Sequence, residues 1–244
     1  MAQPTTKAEQ KKAVPLPTYL KIQRIFFAIC IVLPFPLLLL GIVTAGNLNP
    51  ANGSIAIANV SMTPLPFPLH LALDIISFFF LLFGFLGMTS LAISRSPWLA
   101  SIGGALSLIG TMTNVSFVAQ SDMTYNMAQL GSSTQFIALW DRFNSDAIMT
   151  VFLDLFILGF VFGPILLGIA LGRARVIPLW AASAIVLSRL LLIIAVPAHL
   201  NSSYVEPIAY GLFFLGCLPA ALAMFKLSNS KSSMSDGERP VLAE

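Results

Sequence analysis

Thr150-Val151-Phe152-Leu153-Asp154-Leu155-Phe156-Ile157-Leu158-Gly159-Phe160-Val161-Phe162-Gly163-Pro164-Ile165-Leu166-Leu167-Gly168-Ile169-Ala170-Leu171 is a run of 22 residues that carries one charge. An α-helix needs about 20 apolar residues to cross the hydrocarbon of a bilayer. The stretch Thr150–Leu187 that it opens has a second copy in Pro68–Leu106. Each copy sets an aspartate in an apolar run, Leu73-Asp74-Ile75 or Leu153-Asp154-Leu155. Each continues through a Gly-rich apolar helix to a basic turn, at Arg95 or at Arg173 and Arg175, and re-enters apolar sequence through Ala-Ser. Asp74 precedes Arg95 by 21 residues, and Asp154 precedes Arg175 by 21. Two transmembrane helical hairpins follow from this reading.

Composition agrees. Of the 244 residues 57% are hydrophobic and 9% charged, with a mean hydropathy of +0.88. Soluble domains carry about a quarter charged residues, so a water-soluble fold is excluded. The apolar runs are long and continuous, unlike the short alternating segments of a membrane β-barrel. The net charge of +3 does not point to nucleic acid, because Lys and Arg flank the apolar spans, where topology places them. Cys30 and Cys217 lack metal-ligand spacing and read as buried thiols.

Taken in order, the chain predicts an all-α, polytopic six-helix bundle. Residues 1–23 read as a disordered basic tail, 24–226 as the transmembrane domain and 227–244 as a second disordered tail. The spans fall at about 24–43, 68–93, 98–118, 147–171, 177–197 and 207–225. The first carries Pro34 and Pro36, which break or kink it by removing backbone donors. It is read as a retained helix, because its apolar run exceeds that of a cleaved signal. Residues 46–66 read as an uncharged loop. Residues 119–148 read as a polar connection holding a short amphipathic helix at the membrane interface, over Thr134–Phe143. Asn144 and Ser145 are expected to cap the fourth span, with Asp146 in its first turn.

Lys and Arg gather in the N-terminal tail, at Arg95, at Arg173 and Arg175, and in the C-terminal tail, with Arg142 alone on the other side. Both termini are therefore expected in the cytoplasm. Helices 2–3 and 4–5 then run in the same direction, as parallel hairpin repeats.

On this topology Asp74, Asp154 and Arg189 fall at one depth, ~10 Å inside the membrane at the rise of an α-helix. His70, Asn114, Asp146, His199 and Glu206 form a second layer above them. An isolated charge there costs at least ~2.5 kcal/mol, so an Asp74–Arg189–Asp154 contact is expected. Offsetting the repeats by 82 residues puts Arg189 opposite Ser107, the asymmetry from which a specific site would arise.

This cluster has three uses in chemistry. It locks helices together, or Arg189, His70, Asn114, His199 and Glu206 bind a small hydrophobic, anionic or lipid-like ligand. Alternatively Asp74 or Asp154 acts as general acid/base of an enzyme working on a lipid or isoprenoid. A small carrier, with the aspartates relaying protons, is a further reading. No metal and no cofactor is expected, since the donor set is too sparse. Expected partners are membrane lipids and such a ligand, not nucleic acid; oligomeric state is left open.

Phe162-Gly163-Pro164-Ile165-Leu166-Leu167-Gly168-Ile169-Ala170-Leu171, followed by Arg173-x-Arg175-Val176-Ile177-Pro178-Leu179-Trp180-Ala181, resembles a segment of small bacterial six-helix integral membrane proteins of unknown function. In these a late helix ends in an Arg-x-Arg turn and the next begins with Pro-x-Trp. The resemblance implies a bacterial inner-membrane protein and brings no reaction and no catalytic residue.

Overall fold

In the computed structural model the described residues are 17–45, 52–62, 66–131, 133–195 and 202–229. They are helical almost throughout, with no strand among them. The chain opens with α1 (Thr18–Val32) and α2 (Pro34–Ala45), two halves of one apolar rod broken at Leu33. Pro34 and Pro36 lack the amides that would continue the ladder, as their sequence predicts. The helix starts at Thr18 rather than near residue 24, so Lys21 lies on α1; the expected tails fall mostly outside the described residues.

The expected loop before the second span contains a helix, α3 (Gly53–Met62). Asn52 starts it, its side chain accepting the Ile55 amide at 3.1 Å, an ordinary asparagine cap. Ala56, Ile57 and Val60 are buried; this apolar face, not the helix's modest propensity, holds it in place.

α4 (Pro66–Ala92) and α5 (Pro97–Leu130) form the first hairpin. α5 has 34 residues, ~50 Å at the helical rise, and so outruns the expected span end at 118. Polarity marks where hydrocarbon stops, not where a helix must. α6 (Thr134–Asn144) folds back against this extension. Trp140 donates to the Thr124 hydroxyl at 3.1 Å, Gln120 donates to Asn144 at 2.6 Å, and the Gly53 amide donates to Asp141 at 2.8 Å. α3, α6 and the end of α5 thus make a small cap. The amphipathic face expected to lie on lipid is turned inward at Trp140, which is buried.

The next rod comprises α7 (Ala147–Phe156), a π-helical stretch (Ile157–Phe162) and α8 (Gly163–Arg173). Its N-cap is Asp146 itself, accepting the Ile148 amide at 3.2 Å; Ser145 instead closes α6. α9 (Leu179–Ala195) and α10 (Ser202–Asn229) complete the chain.

Five of these rods are long and apolar enough to cross a membrane: 18–42, 67–92, 97–130, 147–173 and 204–228. α9 is apolar but shorter, so the expected six spans are met at five. Packing follows chain order from α1–α2 to α4, α5, α7–α8, α9 and α10, and α10 returns to α1. Small residues set the tightest crossing. A Cβ on Gly163 would stand 2.5 Å from the Ser107 amide nitrogen, and one on Gly103 2.9 Å from the Leu167 nitrogen. Such stripes let helices approach in lipid, where apolar surface alone does not drive association.

Candidate functional site

The polar layer is built from α4, α9 and α10. His70 and Asp74 are four residues apart on α4 and therefore share a face. Their side chains meet at 3.4 Å, with His70 buried. Gly41 of α2 admits this pair: a Cβ there would lie 3.2 Å from both Asp74 Oδ1 and His70 Nδ1. The His70 ring also meets Phe67 edge-on, at 5.7 Å between centroids.

Arg189, on α9, is 1% exposed. Its guanidinium lies 4.2 Å from the Phe213 ring centroid, 4.5 Å from that of Phe160 and 5.6 Å from that of Tyr210. The Tyr210 hydroxyl is close enough to interact with it electrostatically. Aromatic faces attract a desolvated cation by ~2 kcal/mol or more, and three of them offset part of the cost of burying Arg189. Two of its nitrogens, Nε and Nη2, have no hydrogen-bond partner among the described residues.

Tyr210 joins the two halves. It is within electrostatic reach of Arg189, Glu206 and Asp74, and Asp74 in turn of Glu206.

The structure therefore brings together His70, Asp74, Glu206 and Arg189 but not all of the expected set. Asp154 is exposed on α7, and no ion pair joins it or Asp74 to Arg189 among the described residues. The expected Asp74–Arg189–Asp154 contact is absent because the inward face of that rod is fixed elsewhere. Gly159 and Gly163 press on α5, and at ~100° per residue an aspartate five positions before Gly159 points well away from it. Asn114 sits half-buried on α5, with no hydrogen bond to this layer among those described. Asp146 is engaged as a helix cap, and His199 lies outside the described residues. Among the described residues no group of three or more His, Cys, Asp and Glu side chains could hold a metal ion.

Neither charge nor motif in the sequence marks Phe160, Tyr210 or Phe213 as part of this layer. A signal existed on α10: Glu206, Tyr210, Phe213 and Cys217 recur at the spacing of one helical face. Nothing comparable marks Phe160, which belongs to the π-helical stretch. Such stretches are rare and frequent at functional sites.

Length and composition of the helices mark the class as a membrane protein. No protein-family model, no curated protein and no solved structure matches the chain.

Proposed function

We propose that this is a six-crossing integral membrane protein that binds a small anionic or lipid-like ligand in its interior, at Arg189. The observation that carries the reading is a buried guanidinium with two donor nitrogens left open among the described residues. A guanidinium presents its donors as a planar fork matched to carboxylate and phosphate oxygens, and charge-assisted hydrogen bonds are about twice as strong as neutral ones. A ligand oxyanion would satisfy the open Nε and Nη2 edge while the aromatic rings keep water away. Asp74 and Glu206 limit net positive charge in the layer, and the His70–Asp74 pair can exchange a proton with a ligand group. If the protein is instead an enzyme, Asp74 is the general acid/base, since Asp154 stands outside the layer.

The sixth crossing is α9, whose 17 residues lie at the short end of the range that spans a bilayer; thinning or snorkelling at its ends covers the deficit. Two contacts support placing the basic ends together. Arg24 donates to the Leu227 carbonyl at 2.5 Å and Arg95 to the Ala174 carbonyl at 3.0 Å. The excess of Lys and Arg at that end makes it cytoplasmic.

The test is to purify the wild type and Arg189→Met in mild detergent, extract each, and quantify small molecules and lipids by mass spectrometry. A stoichiometric anionic species in the wild type and its loss in Arg189→Met, at unchanged helicity, is the expected result. If neither carries one and the substitution changes only thermal stability, the layer is a structural lock.

A further inference from the structure

Away from the interior layer, α8 and α9 leave an open groove of about 450 Å³ lined by Ile169, Arg173, Leu179, Ser183, Val186 and Leu187. Its floor is shallow because small residues meet there: a Cβ on Gly172 would come within 2.9 Å of the Ala182 Cβ. The walls are apolar and outward-facing, with Ile169 44%, Leu179 77% and Leu187 55% exposed. Arg173, also exposed, closes one end.

We propose that this groove seats one anionic phospholipid, an acyl chain lying between α8 and α9 and the headgroup phosphate resting on Arg173. Charge complementarity carries the choice of occupant. Arg173 does not stand alone, since the Arg95 bond to the Ala174 carbonyl draws the two basic turns together. Arg95, Arg173 and Arg175 thereby share one end, all exposed. No acid dilutes their field along the groove's own helices, for the sequence holds no Asp or Glu between Asp154 and Glu206. Trp180, 59% exposed beside the groove, suits the headgroup level, where Trp is enriched. Basic pockets between transmembrane helices take anionic headgroups for the same reason. The occupant is a phospholipid rather than free phosphate because the groove offers an apolar wall, about two turns of α9 long from Leu179 to Leu187, beneath a single cationic rim.

The experiment is native mass spectrometry of the full chain in detergent, titrated with dioleoylphosphatidylglycerol or dioleoylphosphatidylcholine, inorganic phosphate serving as the headgroup-only probe. Wild type is expected to retain phosphatidylglycerol preferentially. Arg173→Gln should weaken that retention roughly five-fold, the effect of one surface cation. Ser183→Phe, which fills the groove from an exposed position, should reduce retention of both lipids. Helicity and thermal midpoint of each variant verify folding. Equal retention of the two lipids by wild type overturns the proposal. So does a preference that survives both Arg173→Gln and Ser183→Phe, or phosphate that competes as well as the lipid. A lipid-free dimer that cross-links through Leu187→Cys would assign the groove to a second copy and overturn it as well.

Discussion

Arg189 and Gly41 define the interior layer at the scale of single residues, and each yields a prediction. Arg189→Lys should be the more damaging change for folding, and Arg189→Met the milder one. Lysine is a strongly hydrated point charge without a planar face, so it loses the stacking on Phe160 and Phe213 yet still has to be desolvated. Methionine removes the charge and with it the cost of burying it, and its flexible thioether packs favourably against the Phe160 and Phe213 rings. In detergent, thermal unfolding should therefore rank wild type and Arg189→Met together, with Arg189→Lys lower by about 2 kcal/mol, the value of a desolvated cation–π contact. Equal behaviour of the two variants would remove the aromatic box from the account. Gly41→Ala should cost about 1 kcal/mol by overpacking, the low end for an inserted methyl. Its Cβ presses on both partners of the His70–Asp74 pair, and a His70→Ala background should relieve part of that loss. The pair itself was legible in the sequence, because four-residue spacing on a helix fixes a shared face whatever the helix packs on. Its neighbours across α9 and α10 were not, since contact between helices depends on rotations that no local spacing records.

Between elements, the decisive feature is the crossing of α5 with the rod from α7 to α8. Gly103, Ser107 and Gly110 of α5 meet Gly159, Gly163 and Leu167 with backbone against backbone. Gly163→Ala would drive a methyl onto the Ser107 backbone, which cannot swing aside as a side-chain end can. It should cost about 2–3 kcal/mol, in the upper part of the range for overpacking, and loosen Phe160 from Arg189 because Phe160 and Gly163 sit on the same stretch of rod. Gly211→Ala is the control: nothing lies within 4 Å of its added methyl, so the unfolding midpoint should hold or rise slightly, as alanine is the better helix former. Of this architecture the sequence disclosed the rods and the proline break, both of which leave periodic or compositional marks. It did not disclose α3 or the far end of α5. Those helices are stabilised by packing on each other around Trp140 and Asp141, and a short segment whose partner lies far away in sequence looks like loop from composition alone. The outward turn of Asp154 was hidden for a related reason: matching it to Asp74 by register ignores the π-helical stretch, which is wound differently from α4.

For the molecule as a whole, sidedness is the property on which both the proposed interior ligand and the proposed surface lipid depend. Charge places Lys21, Arg24, Arg95, Arg173, Arg175 and Lys226 at one end, and the cap of α3, α6 and the end of α5 at the other. The chain's two native thiols, Cys30 and Cys217, are both fully buried. Buried thiols in apolar surroundings are inert toward electrophiles, because the reactive thiolate is disfavoured there. Folded wild type in intact cells should accordingly resist a membrane-impermeant maleimide. Single cysteines introduced at exposed positions then report from a silent background. Gln135→Cys, on α6, should label from outside, whereas Ser94→Cys, in the first basic turn, should label only after the membrane is permeabilised. The two results together require an odd number of crossings between residues 94 and 135, which α5 supplies. A further cysteine at Ser183, exposed on α9 just past the second basic turn, should share the protected side of Ser94→Cys, and added anionic lipid should slow its labelling in permeabilised cells. External labelling of Ser94→Cys would invert the protein in its membrane and put Arg173 on the leaflet opposite to the one its charge selects. Labelling of Ser94→Cys and Gln135→Cys from the same side would deny that α5 crosses at all, and with it the burial in hydrocarbon on which the reading of Arg189 depends.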